Sequence, residues 1–233
     1  MIGYEDKAKL ASARPILVPA EEEVSELRGR YHRPAYQVFK RLFDIVLSAL
    51  ALIVLSPVFL IIALLIAAKD GFPVAFKQTR VGFRGRLFPI LKFRTMVKNA
   101  EEILKARPEL LEEYRVHYKI KNDPRISPIG RFLRKSSLDE LPQLWNVLKG
   151  DMTLVGPRPI VPPELEMYGE HQDIYKAMKP GCAGLWQCGG RSGTTYEERV
   201  QLDREYYAKA SLLFDLQILF RTVLAILTGR GAR

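Results

Sequence analysis

The chain has 233 residues, 48% of them hydrophobic, which suffices for one domain with accessory segments around a sizeable core. Its formal net charge of +10 indicates an anionic partner, and without a recognised nucleic-acid motif a membrane surface or phosphorylated substrates are favoured over DNA or RNA. The two cysteines, Cys182 and Cys188, have no second pair to complete a zinc site, so we expect small buried apolar groups rather than a redox pair.

Residues 1–35 are polar and irregular, and they predict an N-terminal arm or a small accessory element. The first apolar run begins only near residue 42, too far along the chain for a secretory signal peptide, so we expect none. We divide the rest into an apolar membrane hairpin over residues 36–69 and a domain over residues 70–233.

Residues 45–68 form an apolar run that is long enough to cross a bilayer. Pro57, in its middle, lacks an N–H and predicts a kink, and the Ser56 hydroxyl can bond to a backbone group that the kink frees. Basic residues flank both ends, and such residues favour the cytoplasmic side of a membrane. A helix that enters the bilayer, bends at Ser56-Pro57 and returns to the same face therefore fits the charges better than a straight span, with Asp44 near the interface. The flanking basic residues are Arg28, Arg30, Arg33, Lys40 and Arg41 before the run, and Lys69, Lys77, Arg80, Arg84, Arg86, Lys92 and Arg94 after it.

Three further segments carry secondary-structure patterns. Residues 73–96 alternate apolar and basic residues around glycines and predict a short β-hairpin, whose cations can meet lipid headgroups or a diphosphate. Residues 99–121 are rich in Glu, Leu and Lys, and Pro108 divides them into two helical pieces without assigned chemistry. Residues 211–227 predict an amphipathic helix. Its apolar stripe fits either packing in the core or a position partly in the membrane interface.

An adjacent acid pair, Asp139 and Glu140, follows two basic residues, Arg134 and Lys135. One interpretation is structural, because Ser137 and Glu140 have the spacing of a capping box at a helix start. The other is chemical: a helix N-terminus and nearby bases would stabilise phosphate charge and depress the pKa of Asp139, which keeps it ionised and nucleophilic. Mg²⁺ suits a carboxylate together with a diphosphate. The residues alone thus predict a membrane-face protein that binds phosphorylated ligands with a metal and a carboxylate.

A second block ends in the turn Pro157-Arg158-Pro159. The two prolines fix the backbone on either side of Arg158, so little entropy is lost when its guanidinium binds a ligand. A rigid connector with an exposed arginine would explain the same residues.

Taken in order, these motifs closely resemble those of the monotopic phosphoglycosyl transferases, bacterial enzymes that load a sugar phosphate onto polyprenyl phosphate. The likeness runs from Lys40 to the C-terminus, with Lys179 standing where the family has arginine. The matching segments are Lys40-Arg41-Leu-Phe-Asp44, Lys92-Phe-Arg94-Thr-Met, Leu138-Asp139-Glu140-Leu-Pro-Gln, Gly150-Asp-Met, Gly156-Pro-Arg-Pro and Lys179-Pro-Gly-Cys-Ala-Gly-Leu-Trp-Gln.

The resemblance implies a mainly α fold with a small β-hairpin (α+β). It would consist of a re-entrant membrane helix-break-helix hairpin, broken at Ser56 and Pro57, and a cytoplasmic globular domain with interfacial amphipathic helices. In the family, the first acid of the pair attacks the β-phosphate of a UDP-sugar and releases UMP. Polyprenyl phosphate then attacks the acyl-phosphate sugar intermediate. Carried over, Asp139 is the nucleophile and a Mg²⁺ ligand, and Glu140 places the metal or manages a proton.

The same resemblance implies phosphate-binding roles for Lys92 and Arg134. It also implies that Pro157, Arg158 and Pro159 contact the nucleotide, with Arg158 at the uridine end.

The resemblance further implies the partners and the location of the protein. They are a UDP-sugar, undecaprenyl phosphate and membrane lipids, without nucleic acid, at the cytoplasmic face of a bacterial inner membrane. The Glu-rich insert and the Gly-Leu-Trp-Gln segment look most like the hexose-1-phosphate branch, which uses UDP-galactose or UDP-glucose in exopolysaccharide or O-antigen synthesis. An N-acetylated diamino sugar and a non-catalytic basic membrane adaptor are the alternatives. The oligomeric state stays open, with a homodimer as one option.

Overall fold

The structure is a computed structural model that describes residues 28–117, 120, 122–189 and 194–228. Most of the predicted N-terminal arm, residues 1–27, therefore lies outside the described residues. The described part is mainly helical, with a small antiparallel sheet and a short parallel strand pair, so the predicted α+β class is confirmed.

The helices differ widely in length, from a single turn to the two long segments of the predicted hairpin. The helices are α1 (Arg28–Tyr31), α2 (Pro34–Val54), α3 (Ser56–Asp70), α4 (Ala100–Lys105), α5 (Pro108–His117), α6 (Pro128–Ser136), α7 (Gln143–Lys149), α8 (Gln172–Lys176), α9 (Leu185–Gly189), α10 (Tyr196–Lys209) and α11 (Leu212–Leu227). The strands are β1 (Ala75–Val81), β2 (Leu87–Phe93), β3 (Thr153–Val155) and β4 (Gly181–Ala183). Short 3₁₀ segments lie at Phe83–Gly85, Leu138–Glu140 and Pro162–His171.

Helices α2 and α3 form a pair that bends by 59° at the predicted break. Pro57 has no N–H to donate to the carbonyl of Ile53, and the Ser56 hydroxyl donates to that carbonyl instead, at 2.8 Å. The sequence therefore predicted both the break and the group that satisfies the freed backbone. Among the described residues no single helix is long and apolar enough to cross a membrane, whereas this bent pair passes that test by length and composition.

The bent pair leaves most of its large apolar side chains uncovered. A minority face the domain: Ile62 and Ile66 are buried and pack with Phe93 and Leu133. An exposed apolar surface of this extent marks an interaction site with lipid or protein. The exposed side chains are Val38, Phe39, Leu42, Ile45, Val46, Leu50, Ile53 and Val54 on α2, and Leu60, Ile61, Leu64 and Leu65 on α3.

A buried ion pair joins α2 to α11. Lys40 Nζ lies 2.7 Å from Asp215 Oδ2, and their side chains are only 5% and 2% exposed. The hydroxyls of Tyr36 and Tyr206 both donate to the same carboxylate, at 2.9 and 2.7 Å. The interpretation of Lys40 as a charge that flanks the membrane is therefore wrong, because the side chain is buried in the domain and its charge is balanced there.

Two further polar side chains of α2 also face the domain. Arg41 donates to two carbonyls in the last turn of α7, at 2.6 and 2.7 Å, so this second flanking charge is a helix cap. Asp44 accepts hydrogen bonds from the Thr153 hydroxyl at 2.7 Å and from the Leu154 N–H at 2.9 Å. The Lys-Arg-Leu-Phe-Asp motif thus fixes the bent α2–α3 pair to the domain that carries the candidate site.

The C-terminal helix α11 begins and ends within one residue of its predicted bounds, but its apolar stripe faces outward. Asp215 and Ile218 are buried on the inner face. Core packing therefore accounts for part of the predicted stripe, since Leu212 and Leu219 pack against the core, and a position in the membrane interface stays a prediction for the exposed part. The exposed apolar residues of α11 are Leu213, Leu216, Phe220, Val223 and Leu224.

The predicted β-hairpin is confirmed as strands β1 and β2. They pair antiparallel from Ala75 opposite Phe93 to Val81 opposite Leu87. A second pair, β3 with β4, is parallel and was not predicted. These strands span three residues each, too few for an alternating pattern to be recognised in the sequence.

Candidate active site

A small cleft, open to solvent, lies where β2, the acid pair, the Pro-Arg-Pro turn and β4 meet. It brings together four residues that the sequence proposed: Lys92, Glu140, Arg158 and Pro159. Asp139, Arg134 and Pro157 do not line it. The remaining lining residues, which sequence reasoning missed, are Arg80, Ile90, Gln143, Gly181, Cys182 and Gln187.

The acid pair lies on a 3₁₀ turn between α6 and α7 rather than at the start of a capped helix. Ser137 ends α6 in the left-handed conformation, with φ 58°, and its side chain makes no capping hydrogen bond to the turn that follows. The capping-box interpretation of Ser137 and Glu140 is therefore wrong. A helix cap does form nearby, where the Ser127 hydroxyl accepts from the Gly130 N–H at 3.0 Å. Neither acid is thus engaged in capping.

Glu140 is ionised and paired with Lys92. The two side chains meet at 2.7 Å between Lys92 Nζ and Glu140 Oε1. Burial raises the pKa of Glu140, but Lys92, Arg158 and a hydrogen bond from Gln143 outweigh it and lower this pKa to about 2. A carboxylate with so low a pKa is a weak base at neutral pH, which favours holding a cation over carrying a proton.

Asp139 has the opposite electrostatic setting. Its residue is 8% exposed, and burial, with the neighbouring charge of Glu140, raises its pKa to about 6 despite the attraction of Lys92 and Arg134. The expectation of a depressed pKa is therefore wrong. The carboxyl is still mostly ionised at pH 7, and it is a stronger base than an exposed aspartate because of its burial.

The end of β2 positions the two predicted phosphate ligands. Lys92 faces Glu140, as described above. Three residues further, the Thr95 hydroxyl accepts from Arg134 Nε at 2.9 Å and fixes that arginine on α6 near Asp139. The end of β2 and the residues just after it therefore place two cations near the acid pair.

The same strand end also contacts α3, the second helix of the bent pair. Between Lys92 and Thr95, the ring of Phe93 packs against that of Phe59 on α3, with centroids 5.5 Å apart. Arg94 donates to the carbonyl of Asp70 at 2.7 Å and also to that of Gly71, which caps the end of α3. The Lys-Phe-Arg-Thr motif thus couples the position of α3 to that of the acid pair.

The Pro-Arg-Pro turn is held by more than its prolines. The Tyr175 hydroxyl, fully buried, lies 3.0 Å from the Val81 carbonyl and 3.2 Å from the Arg158 carbonyl, and accepts from the Ile160 N–H at 3.2 Å. The guanidinium of Arg158 lies 5.8 Å from the centre of the Trp186 ring. Backbone anchors and an aromatic face therefore restrict where Arg158 can reach.

Arg80 is the most consequential residue that the sequence analysis missed. Its side chain is 12% exposed, and its two terminal nitrogens donate to the Pro159 carbonyl at 3.2 Å and to Gln78 Oε1 at 2.6 Å. Sequence reasoning counted it among the flanking cations. The alternation along β1 could have distinguished Arg80 from the exposed flanking cations. Gln78 and Arg80 are half-buried on one face of the strand, whereas Lys77 and Thr79, on the other face, are exposed.

Comparison with protein families identifies the group to which the fold and the motifs belong. A model of the bacterial sugar transferase family matches residues 35–229, from the start of α2 to just beyond α11. The chain belongs to this family. The resemblance drawn from the motifs is thereby confirmed.

Three relatives of this sugar transferase differ in length and in what their names say. It is 44% identical to the exopolysaccharide production protein ExoY of Sinorhizobium fredii, over 86% of this chain and 90% of the relative. It is 49% identical to the undecaprenyl-phosphate galactose phosphotransferase of Salmonella typhimurium, over 83% of this chain but 41% of that protein. It is 39% identical to the UDP-glucose:undecaprenyl-phosphate glucose-1-phosphate transferase of Klebsiella pneumoniae, over 80% of this chain and 39% of that protein.

A metal ion in this sugar transferase would have few ligands from the protein. Within the described residues, no three side chains of His, Cys, Asp or Glu come together as a metal site. The acid pair offers two carboxylates, electrostatically coupled to each other. Mg²⁺ is commonly held by one or two carboxylates together with substrate phosphates, so the pair fits this ion once a diphosphate is bound.

The two cysteines of the sugar transferase pack against the hydrophobic core. Both are half-buried. Burial raises the pKa of the Cys182 thiol, and the Cys188 thiol donates to the Leu185 carbonyl at 3.3 Å. They act as small packing groups, as the sequence predicted.

Proposed function

We propose that this chain transfers a hexose-1-phosphate from a UDP-sugar, UDP-galactose or UDP-glucose, to undecaprenyl phosphate and releases UMP. The observation that carries the proposal is the convergence of Lys92, Glu140, Arg80 and Arg158 on one cleft beside the buried Asp139. Family membership and relatives named for undecaprenyl-phosphate galactose and glucose transfer support the same reaction.

In the first step, a carboxylate oxygen of Asp139 attacks the β-phosphorus of the donor. The bond between that phosphorus and the bridging oxygen breaks, and UMP leaves with the electron pair. Asp139 then carries the hexose phosphate as an acyl phosphate, and the step needs no proton transfer. Lys92 and Arg134, both near the acid pair, neutralise charge as phosphorus is transferred.

In the second step, a phosphate oxygen of undecaprenyl phosphate attacks the same phosphorus. The acyl-phosphate bond breaks, which regenerates the Asp139 carboxylate and forms undecaprenyl diphosphate hexose. Because Asp139 is largely buried, water has little access to it, which protects the intermediate from hydrolysis.

Mg²⁺ is the cofactor that we propose, held by Asp139 and Glu140 together with the diphosphate of the donor. When bound, it would neutralise phosphate charge and orient the diphosphate for in-line attack. The low pKa of Glu140 supports the placement of this cation as the role of the second acid.

The acceptor is a lipid, so the site must lie at a membrane surface. We propose that α2 and α3 form a re-entrant hairpin at the cytoplasmic face of the bacterial inner membrane. The 59° bend and the exposed apolar side chains of both helices support this. The outward apolar stripe of α11 supports an interfacial position for that helix.

The proposal is tested by UMP release from purified protein in lipid nanodiscs that contain undecaprenyl phosphate. We expect UMP from UDP-galactose or UDP-glucose, loss of release in D139N, and normal release in D173N, whose side chain is 96% exposed. Undiminished release by D139N would show that the covalent mechanism is wrong. Release only from an N-acetylated diamino sugar donor would move the chain to the other sugar class, and release from no donor would favour a membrane adaptor.

A further inference from the structure

An exposed aromatic side chain, that of Phe76 on β1, lies beside the candidate site and takes no part in the chemistry described above. We propose that Phe76 binds the isoprene unit next to the phosphate of the lipid acceptor and so helps to select an isoprenyl phosphate as the second substrate. This inference rests on the proposed function and deepens it, because it names a residue that recognises the acceptor.

Phe76 and Lys92 are direct neighbours across the β1–β2 hairpin. The two residues are paired in the antiparallel register, so their side chains project from the same face of the hairpin, with Cβ atoms about 5 Å apart. On this face Lys92 Nζ lies 2.7 Å from the Glu140 carboxylate. The ring of Phe76 is therefore next to the cation that we place at the transferred phosphate.

The protein leaves much of the Phe76 side chain uncovered. Phe76 is 47% exposed, whereas Phe88 and Ile90, on the same face of the hairpin, are buried in the core. An isolated exposed phenylalanine is common on protein surfaces, so its position next to Lys92 carries the argument. At this position an apolar group of a bound ligand would remove the ring from water, which favours binding.

The pair of Phe76 and Lys92 lies at the end of the β-hairpin that adjoins the bent α2–α3 pair. Strand β1 begins five residues after α3 ends, and the ring contact between β2 and α3 involves the residue after Lys92. Phe72, in the connection between α3 and β1, is 72% exposed, and Leu64 and Leu65 near the end of α3 are exposed as well. Exposed apolar side chains therefore lie between the proposed membrane segment and the site.

An isoprenyl phosphate has the chemistry that this position requires. Its phosphate must reach the phosphorus on Asp139, near Lys92, and its first isoprene unit is joined to that phosphate through one oxygen. Such a ligand needs a cation and an apolar surface as close together as two directly opposite side chains of a hairpin. The uracil of the donor is separated from the β-phosphate by a ribose and a second phosphate. The hexose is as close to the reacting phosphorus as the isoprene unit is, but it is polar, so it gains less from an apolar ring.

The test measures UMP release in detergent, at saturating concentration of the UDP-hexose that the wild type uses, as a function of the concentration of farnesyl phosphate. Threonine suits a strand and removes the ring, so F76T should fold and form the Asp139 adduct like the wild type. Because about half of the Phe76 side chain is free to be covered, F76T should raise the KM for farnesyl phosphate about 3- to 10-fold. Its KM for the UDP-hexose should be unchanged, and F76L, which keeps an apolar side chain, should restore most of the affinity for farnesyl phosphate.

L87T is the matched control, since Leu87 is an exposed apolar residue at the opposite end of the same hairpin, and both of its KM values should equal those of the wild type. F76Q replaces F76T in the same measurements if F76T forms no adduct.

A wild-type KM for farnesyl phosphate in the ring-deleted variant would overturn the inference, including the case of a defect that appears only with undecaprenyl phosphate in membranes, which would make Phe76 a membrane anchor. A raised KM for the UDP-hexose would also overturn it and place the sugar against Phe76. In each case the proposed function would stand as long as the wild type releases UMP. A wild-type protein that releases no UMP from either UDP-hexose would overturn both.

Discussion

Replacing Asp139 by asparagine should remove activity and stabilise the fold at the same time. Folding raises the pKa of this carboxyl from 3.8 to about 6, so the ionised form is disfavoured in the folded protein. At about 1.4 kcal/mol per pKa unit, ionised Asp139 costs the folded state up to about 3 kcal/mol above pH 6. Asparagine resembles the neutral acid in shape and polarity, so D139N should recover much of this free energy.

The size of this effect depends on pH. Because the folded protein holds this proton more tightly, the contribution of Asp139 to wild-type stability improves as the pH falls from 6 to below 3.8, where the carboxyl is protonated in both states. The advantage of D139N should therefore be full at pH 8 and shrink to about a fifth of that at pH 4. For a chain of this size, about 3 kcal/mol corresponds to roughly 6–12 °C in Tm, as an upper limit.

The assay is thermal unfolding in detergent with EDTA, for the wild type, D139N and the control D173N, at both pH values. D173N should unfold within about 0.5 kcal/mol of the wild type at each pH, because Asp173 is exposed. A D139N protein that is less stable than the wild type at pH 8, or an advantage that does not change with pH, would refute the electrostatic reasoning.

Three further predictions concern the site and the membrane hairpin. With a pKa of about 6 for Asp139, UMP release should fall about tenfold between pH 7 and pH 5, and a flat pH profile would contradict an Asp139 nucleophile. K40M should lower the free energy of unfolding, measured by chemical denaturation, by about 3–5 kcal/mol, because it leaves the buried Asp215 without its cation. The control K209M, at a half-exposed lysine, should change this free energy by about 0.5 kcal/mol or less. Cysteines introduced as A35C and A75C, on either side of the hairpin, should react with a membrane-impermeant maleimide from the same side of the vesicle, and labelling from opposite sides would exclude a re-entrant hairpin.

The features that the sequence predicted well depend on neighbouring residues. A proline without an N–H, with a serine beside it, is enough to place the helix break at Ser56-Pro57. The β-hairpin likewise follows from alternation around glycines in one short segment, and Pro108 divides the Glu-rich segment at the first residue of α5. In each case the controlling physics is steric or conformational and acts over a few residues.

The features that the sequence could not predict depend on contacts between distant segments. Lys40 is balanced by Asp215, which is 175 positions away. The pattern of charges around the hairpin therefore suggested a membrane flank, whereas tertiary packing makes Lys40 part of the core. Tyr175 fixes the Arg158 turn from another element, so the two prolines gave only part of the reason for its rigidity.

The acid pair shows the same limit in its electrostatics. A basic neighbourhood in the sequence suggested a depressed pKa for Asp139, yet burial is the largest influence and raises it. Lys92 bonds to Glu140 rather than to Asp139. Burial and partner choice both arise from the fold, so the order of charges in the chain does not determine them.

The most direct test of the covalent mechanism is intact-protein mass spectrometry after incubation with UDP-hexose in the absence of undecaprenyl phosphate. The account predicts that wild-type protein gains the mass of one hexose phosphate on Asp139 and releases one equivalent of UMP. Addition of undecaprenyl phosphate should then remove the adduct, and D139N should never form it. UMP release that requires undecaprenyl phosphate from the start, with no adduct at any time, would contradict the account.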